Sequence, residues 1–185
     1  AVDPATPLDL SGRRLNGLDL SRLDLRRAKL QAARLNRANL AGANLDGVML
    51  DQAWALDADL SGASLRGASL FATQLIGAKL DGADLSDARI AGDLSRASLQ
   101  HARLDRADLS ADMRNQSMGL MRGVLRSAKL DGASLENANL SRAVLEFASP
   151  AGLIAQQPTG QEPEMSIIPD PPRVSVSVPA IEVIP

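Results

Sequence analysis

The sequence holds almost no aromatic residues: one Trp, two Phe and no Tyr among 185 residues. Ordinary globular cores lean on large rings for buried area, so a core of that kind is hard to build here. Cysteine is absent, which excludes disulfides, thiolate metal sites and thiol chemistry while leaving the compartment open. No stretch approaches the ~20 apolar residues of a membrane-spanning helix, and no basic-then-apolar leader opens the chain. These absences lean toward a cytoplasmic location, with secretion left open. Hydrophobic residues nevertheless reach 45%, almost entirely as Leu and Ala. That skew predicts a repetitive interior built from one large and one small side chain.

The repeat has a period of five. Leu recurs from Leu10 to Leu50, from Leu60 to Leu85, from Leu94 to Leu109 and from Leu120 to Leu145, every fifth residue within each run. Of 27 clear centres 25 are Leu, with Ala55 and Ile90 the exceptions, and 18 are preceded two residues earlier by Ala. The residue between is usually Asp, Asn, Ser, Lys or Arg, and Gly often follows two positions after the centre. Neither the 3.6-residue period of a helix nor the two-residue period of a strand fits. Two inward residues on one short side, followed by a Gly-tolerant corner, do fit. Four sides make a twenty-residue coil stacked on the next at roughly 4.8 Å. The expectation is about seven coils, a rod roughly 34 Å tall.

The runs Ala38-Asn39-Leu40-Ala41-Gly42, Ala58-Asp59-Leu60-Ser61-Gly62 and Ala83-Asp84-Leu85-Ser86-Asp87 resemble the pentapeptide-repeat family, whose motif is A(D/N)LXX. The resemblance covers about three quarters of the chain and implies an all-β, right-handed quadrilateral β-helix. The expected division is a lead-in over 1–7, the β-helix over 8–148 and a Pro-rich tail over 149–185. Eight of the ten prolines lie in that tail. It reads as linker at Gln156–Gln161, with a helical turn at 152–156 and a strand-like alternation at Val174, Val176 and Val178.

Walls are labelled a to d from Leu10, Leu15, Leu20 and Leu25. Counting units places the irregular Leu94, the disturbed segment Asp112–Ser117 and the undersized centre Ala55 all on wall b. Outward positions are polar or small except Met49, Trp54, Leu56, Phe71 and Ile76, which predict an apolar edge for a protein partner. An inward turn of Trp54 and Leu56 around Ala55, or cover by the tail, is the competing structural reading. At the first coil Leu8, Leu18 and Leu23 replace Ala, as a plug. At the last coil Val144 and Phe147 add bulk, and Pro150 stops the ladder.

Within the family resemblance, quinolone-resistance proteins are similar to a DNA duplex in shape and charge and occupy DNA gyrase. The charge pattern here opposes that role. The whole chain carries −2, the tail −3 and Asp3 −1, so the solenoid carries +2, and wall d alternates in sign. The family's gyrase inhibitors also tend toward Phe centres and outward loops, whereas this chain has Leu and a one-residue insertion. The first coil and a half is instead basic, with Arg13, Arg14, Arg34 and Arg37 among its cations, a surface suited to an acidic partner. Direct nucleic-acid binding is weakened by the lack of nearby aromatics for stacking.

Catalysis has little support. His101 is the sole histidine and stands apart from any nucleophile or carboxylate constellation. Asn44, Asp59 and Asn139 recur beside centres because short polar side chains satisfy corner backbone groups. The expectation is a non-enzymatic module without metal, cofactor or small-molecule substrate. It binds a protein, and a dimer through a solenoid end or the tail is the oligomer to test. The resemblance suggests a bacterial, secretion-associated adaptor or effector, with the chain as one part of a larger protein. A gyrase inhibitor and a structural spacer are the alternatives.

Overall fold

The computed structural model describes residues 7–112 and 121–149. The lead-in up to Thr6, most of the disturbed segment, Leu120, Pro150 and the tail, with its expected turn, linker and valine strand, lie outside the described residues.

Each side of the coil contributes one bridged residue, and bridges join neighbouring coils in parallel: Asp9 to Lys29, Lys29 to Met49, Met49 to Ser69 and Ser69 to Arg89 on wall a. Two backbone bonds hold each step. The Leu30 N–H donates to Met49 O at 2.8 Å, and the Met49 N–H donates back to Ala28 O at 3.0 Å. A corner then closes through a bond such as Ala33 N–H to Leu30 O at 3.0 Å. Its second residue has positive φ, the pattern of a type II turn. Gly serves at many corners, but Arg37, Asp57 and His101 adopt the same φ of 54–57°. A non-glycine residue there costs about 1 kcal/mol. The bond to the next coil offsets that cost, as in Arg37 N–H to Leu56 O at 2.8 Å.

The side chains beside the centres act as the spacing predicts. Asn44, Asp59 and Asn139 accept the amides of Asp46, Ser61 and Ser141 at 3.1, 3.0 and 3.1 Å. A second brace runs between coils. Asp46 Oδ1 accepts from Ser64 Oγ at 2.5 Å and from the Arg66 amide at 3.1 Å. Asp51 does the same with Ser69 Oγ and the Phe71 amide. Inside, Leu centres and their Ala partners form one continuous buried column from Leu25 to Leu145. The alternation of Leu and Ala suits that column, because Ala lets facing walls approach while Leu fills the axis.

The register differs from the unit count after Leu109. Asp93 bridges to Val124, Ser98 to Lys129, Arg103 to Ser134 and Asp108 to Asn139. Leu109 on wall a and Leu125 on wall b are therefore consecutive centres, sixteen positions apart where the repeat takes five. Leu125 belongs to wall b rather than d. The corner between walls a and b is closed by bonds between described residues. The Asp112 N–H donates to Met121 O at 2.7 Å, and the Gly123 N–H donates to Leu109 O at 3.0 Å. The described residues supply 26 centres, or six and a half coils. Counting five-residue units across positions 110–124 therefore puts Leu125 on the wrong wall.

The ends are less plugged than expected. Leu8, Leu18 and Leu23 are each 46% exposed, since no described coil lies beneath them. Phe147 occupies the positive-φ position of a corner (φ 57°) and is 58% exposed, so it adds no bulk to the interior. Val144 is buried.

Candidate functional site

Stacking one residue per coil turns wall b into a single outward column: Arg14, Arg34, Trp54, Gln74, Asp93, Val124 and Val144. The basic end and the apolar edge predicted separately thus meet on one face. Trp54 is 53% exposed, while Ala55 beside it is buried. The ring does not turn inward to replace a leucine. The bridge bonds explain why: Trp54 N–H donates to Ala33 O at 2.9 Å and Leu35 N–H donates to Trp54 O at 2.6 Å, which fixes the alternation.

The other apolar residues flank this column. Leu56 and Ile76 stack on the corner between walls b and c, where the Asp57 N–H donates to Ile76 O at 3.1 Å. Phe71 lies on the a/b corner, held by its amide bond to Asp51. Met49 stands on wall a, with Gln31 Nε2 3.3 Å from its sulfur. All four are half-buried. The apolar residues therefore wrap both corners of wall b around Trp54 instead of lining one edge.

Charge separates the walls. On wall d and its corner, Arg26 meets Asp24 at 2.6 Å, Arg103 meets Asp105 at 3.2 Å and Arg106 meets Asp87 at 2.7 Å. Burial pushes the Asp105 carboxyl up, but the Ser134 hydroxyl, Arg103 and the Glu136 amide outweigh it and hold the group below the usual carboxylate range. Asp59 behaves likewise, with burial overcome by Ser61 and Lys79. On the lower half of wall b the opposite holds. Residues 11–17 and 31–37 carry Arg13, Arg14, Arg34 and Arg37 and no acid. All four arginines are exposed, and none has an ion pair among the described residues. Asn16, Gly17, Asn36 and Arg37 line a shallow depression there. Asn16 and Asn36 spend their carbonyls on the amides of Asn36 and Leu56, both at 3.0 Å.

The a/b corner carries features the repeat did not disclose. Thr73 stands where Ala is usual, fully buried, and its hydroxyl donates to Leu50 O at 2.7 Å. One coil on, the corner is a residue short, and a Cβ on Gly92 would lie 2.6 Å from Thr73 O. On the next, a Cβ on Gly123 would lie 2.9 Å from Leu109 Cβ and 3.0 Å from Ile90 O. Thr73, Gly92 and Gly123 share the position two before the centre, and their departure from Ala was the available signal.

His101 sits outward on a c/d corner over Gly132, whose added Cβ would meet its ring at 2.5 Å. Among the described residues no group of three or more His, Cys, Asp or Glu could hold a metal ion. No helix among them is long and apolar enough to cross a membrane.

Comparison with known proteins places this geometry. A family model described as pentapeptide repeats matches residues 9–40, 19–54, 57–90 and 124–149. Among curated proteins none matches the sequence. Among solved structures, a trypsin-treated variant of QnrB1, a plasmid-mediated fluoroquinolone resistance protein, is similar with TM-score 0.61. It is 15% identical over 81% of this chain and 78% of its own, a likeness of fold alone. A pentapeptide repeat protein from the Arabidopsis thaliana thylakoid lumen is 30% identical, covering 58% of this chain and 72% of its own, with TM-score 0.44. A Nostoc sp. strain PCC 7120 pentapeptide repeat protein involved in heterocyst differentiation regulation is 28% identical. It covers 84% of this chain and 91% of its own, with TM-score 0.37. The four-sided stack is accordingly the right-handed quadrilateral β-helix of these proteins, and the chain belongs to the pentapeptide-repeat family.

Proposed function

We propose that the protein is a non-enzymatic interaction module that contacts a protein partner through wall b. The single observation that carries this reading is Trp54, the only tryptophan, held outward at 53% exposure between flanking apolar residues. Large aromatics at the centre of an apolar surface carry much of the energy of protein association. Pentapeptide-repeat proteins are generally non-catalytic, and the interior column is filled by Leu and Ala, which suits a surface role. A secretion-associated adaptor or effector of a bacterium is the setting in which such a module fits. The test is partner binding by Trp54→Ala in the full chain. Loss of binding with an unchanged circular dichroism melt supports wall b. Retained binding contradicts it, and a protein with no partner at all is a spacer.

The alternative reading raised by the family resemblance is inhibition of DNA gyrase. The solenoid charge of +2 and the paired carboxylates of wall d count against it, because mimicry of a duplex needs rows of negative charge. Gyrase supercoiling unaffected by micromolar protein removes this alternative; inhibition would establish it over the first.

A further inference from the structure

The proposed contact face is chemically divided along its length, and the division specifies what lies on it. Arg14, Arg34 and Trp54 occupy successive coils of one column, about 10 Å from first to last at the usual stacking distance. Arg37 flanks the column on the second coil, and Leu56 and Ile76 flank it on the third and fourth. On wall d and its d/a corner Asp24, Asp84, Asp105 and Asp87 pair with arginines, whereas Arg14, Arg34 and Arg37 are exposed and have no ion pair among the described residues. Asn16 and Asn36 spend their carbonyls on backbone amides, so the strip presents donors: the guanidinium groups and, beside them, the NH2 groups of these two side chains.

We propose that wall b binds an extended acidic segment of another protein, which carries an apolar side chain at one end of its acidic run. This rests on wall b being the contact face. Carboxylates of the segment pair with Arg14, Arg34 and Arg37, and its apolar residue packs on Trp54, Leu56 and Ile76. The segment runs along the rod axis, across the coils. Three or four residues of extended chain cover about 10 Å, and guanidinium forks suit carboxylates bidentately. A single-stranded nucleic acid fits less well. It would find one stacking ring and would leave the aliphatic corners without a use.

The experiment is a titration of the full chain read by Trp54 emission. The probes are a short Trp-free peptide of Glu residues ending in two Leu, its Gln counterpart, and a thymidine oligonucleotide of similar length. The Glu peptide shifts the emission saturably and binds more weakly as salt rises. The combined Arg34→Gln and Arg37→Gln variant, at exposed positions, keeps its melt and loses about tenfold in affinity for that peptide. The Gln peptide binds at least about tenfold more weakly than the Glu peptide.

Equal binding of the two peptides, lost in Trp54→Ala when binding is read by calorimetry, overturns the acidic assignment while leaving wall b as the contact face. No response to either peptide, or tighter binding of the oligonucleotide, also overturns it, and the partner experiment above then stands by itself. An emission shift that grows with protein concentration alone would give the strip to a second copy. A shift on Glu162→Gln with Glu164→Gln, in the absence of peptide, would give it to the chain's own tail. Either result contradicts the proposal.

Discussion

Trp54 and Arg34 are bridged neighbours on adjacent coils, so the indole and a guanidinium without an ion pair among the described residues stand one coil spacing apart on the same outward face. Neither side chain contributes to the buried column. Trp54→Ala is therefore expected to leave stability within about 1 kcal/mol of the wild type, as exposed positions generally do. The same substitution removes binding. Urea melts and a binding isotherm on one preparation check both halves, and a large loss of stability would mean that the ring is structural.

Gly92 and Gly123 are expected to be the least replaceable glycines described. A Cβ on Gly92 meets backbone at 2.6 Å, and one on Gly123 meets Leu109 Cβ at 2.9 Å, so the coil must shift to admit either. Gly92→Ala or Gly123→Ala should cost more than about 2 kcal/mol, in the range of overpacked cores. Gly62 also has positive φ, but nothing lies within 4 Å of its absent Cβ. Gly62→Ala should cost only about 1 kcal/mol. Denaturant midpoints rank the three, and a Gly62 variant as damaged as the others would refute the packing argument.

Ala32 holds φ 55° at an exposed corner. Replacing it with Gly removes the Cβ penalty of the left-handed region while adding freedom to the unfolded chain. The first effect outweighs the second, so Ala32→Gly should stabilise by about 0.5 kcal/mol. A rise in melting temperature is the expected result.

Acid should loosen the braces between coils. The carboxyl groups of Asp105 and Asp59 titrate below their ordinary value in the folded protein. Their ionised forms stabilise the fold fully above the unfolded carboxylate value of about 3.9. That contribution disappears as pH falls through the lower folded values. The melting temperature should thus be flat near neutrality and drop on the acid side of about pH 4. Asp105→Asn should start lower at neutral pH and lose less on acidification. An identical acid slope in that variant would remove Asp105 from the account.

Much of this was legible before any coordinates. The recurrence of Leu with Ala two residues earlier fixes which side chains face the axis, because a five-residue side leaves no other arrangement that buries both. Asn44, Asp59 and Asn139 were readable for the same reason, since an Asx side chain two residues before a corner amide can reach it within its own unit. The stacking of Arg34 with Trp54 follows from the twenty-residue wall count, whereas the side-chain brace from Asp46 to Ser64, eighteen residues apart, does not. Register was lost between Leu109 and Leu125, which are consecutive centres sixteen positions apart. Thr73, Gly92 and Gly123 were visible as departures from Ala, but their reason, a crowded a/b corner, exists only once the coils are superposed. Phe147 was misplaced because bulk near a terminus suggests a plug, whereas its position in the unit is a corner that points to solvent.

The most direct test of wall b as the contact face compares two photoreactive chains. One carries the group at position 54 and the other at position 64, which lies on the outward column of wall d. The account predicts a discrete crosslinked product from position 54, mapped to an acidic segment of the partner, and little from position 64. Equal products from both, or a product from position 64 alone, would contradict it.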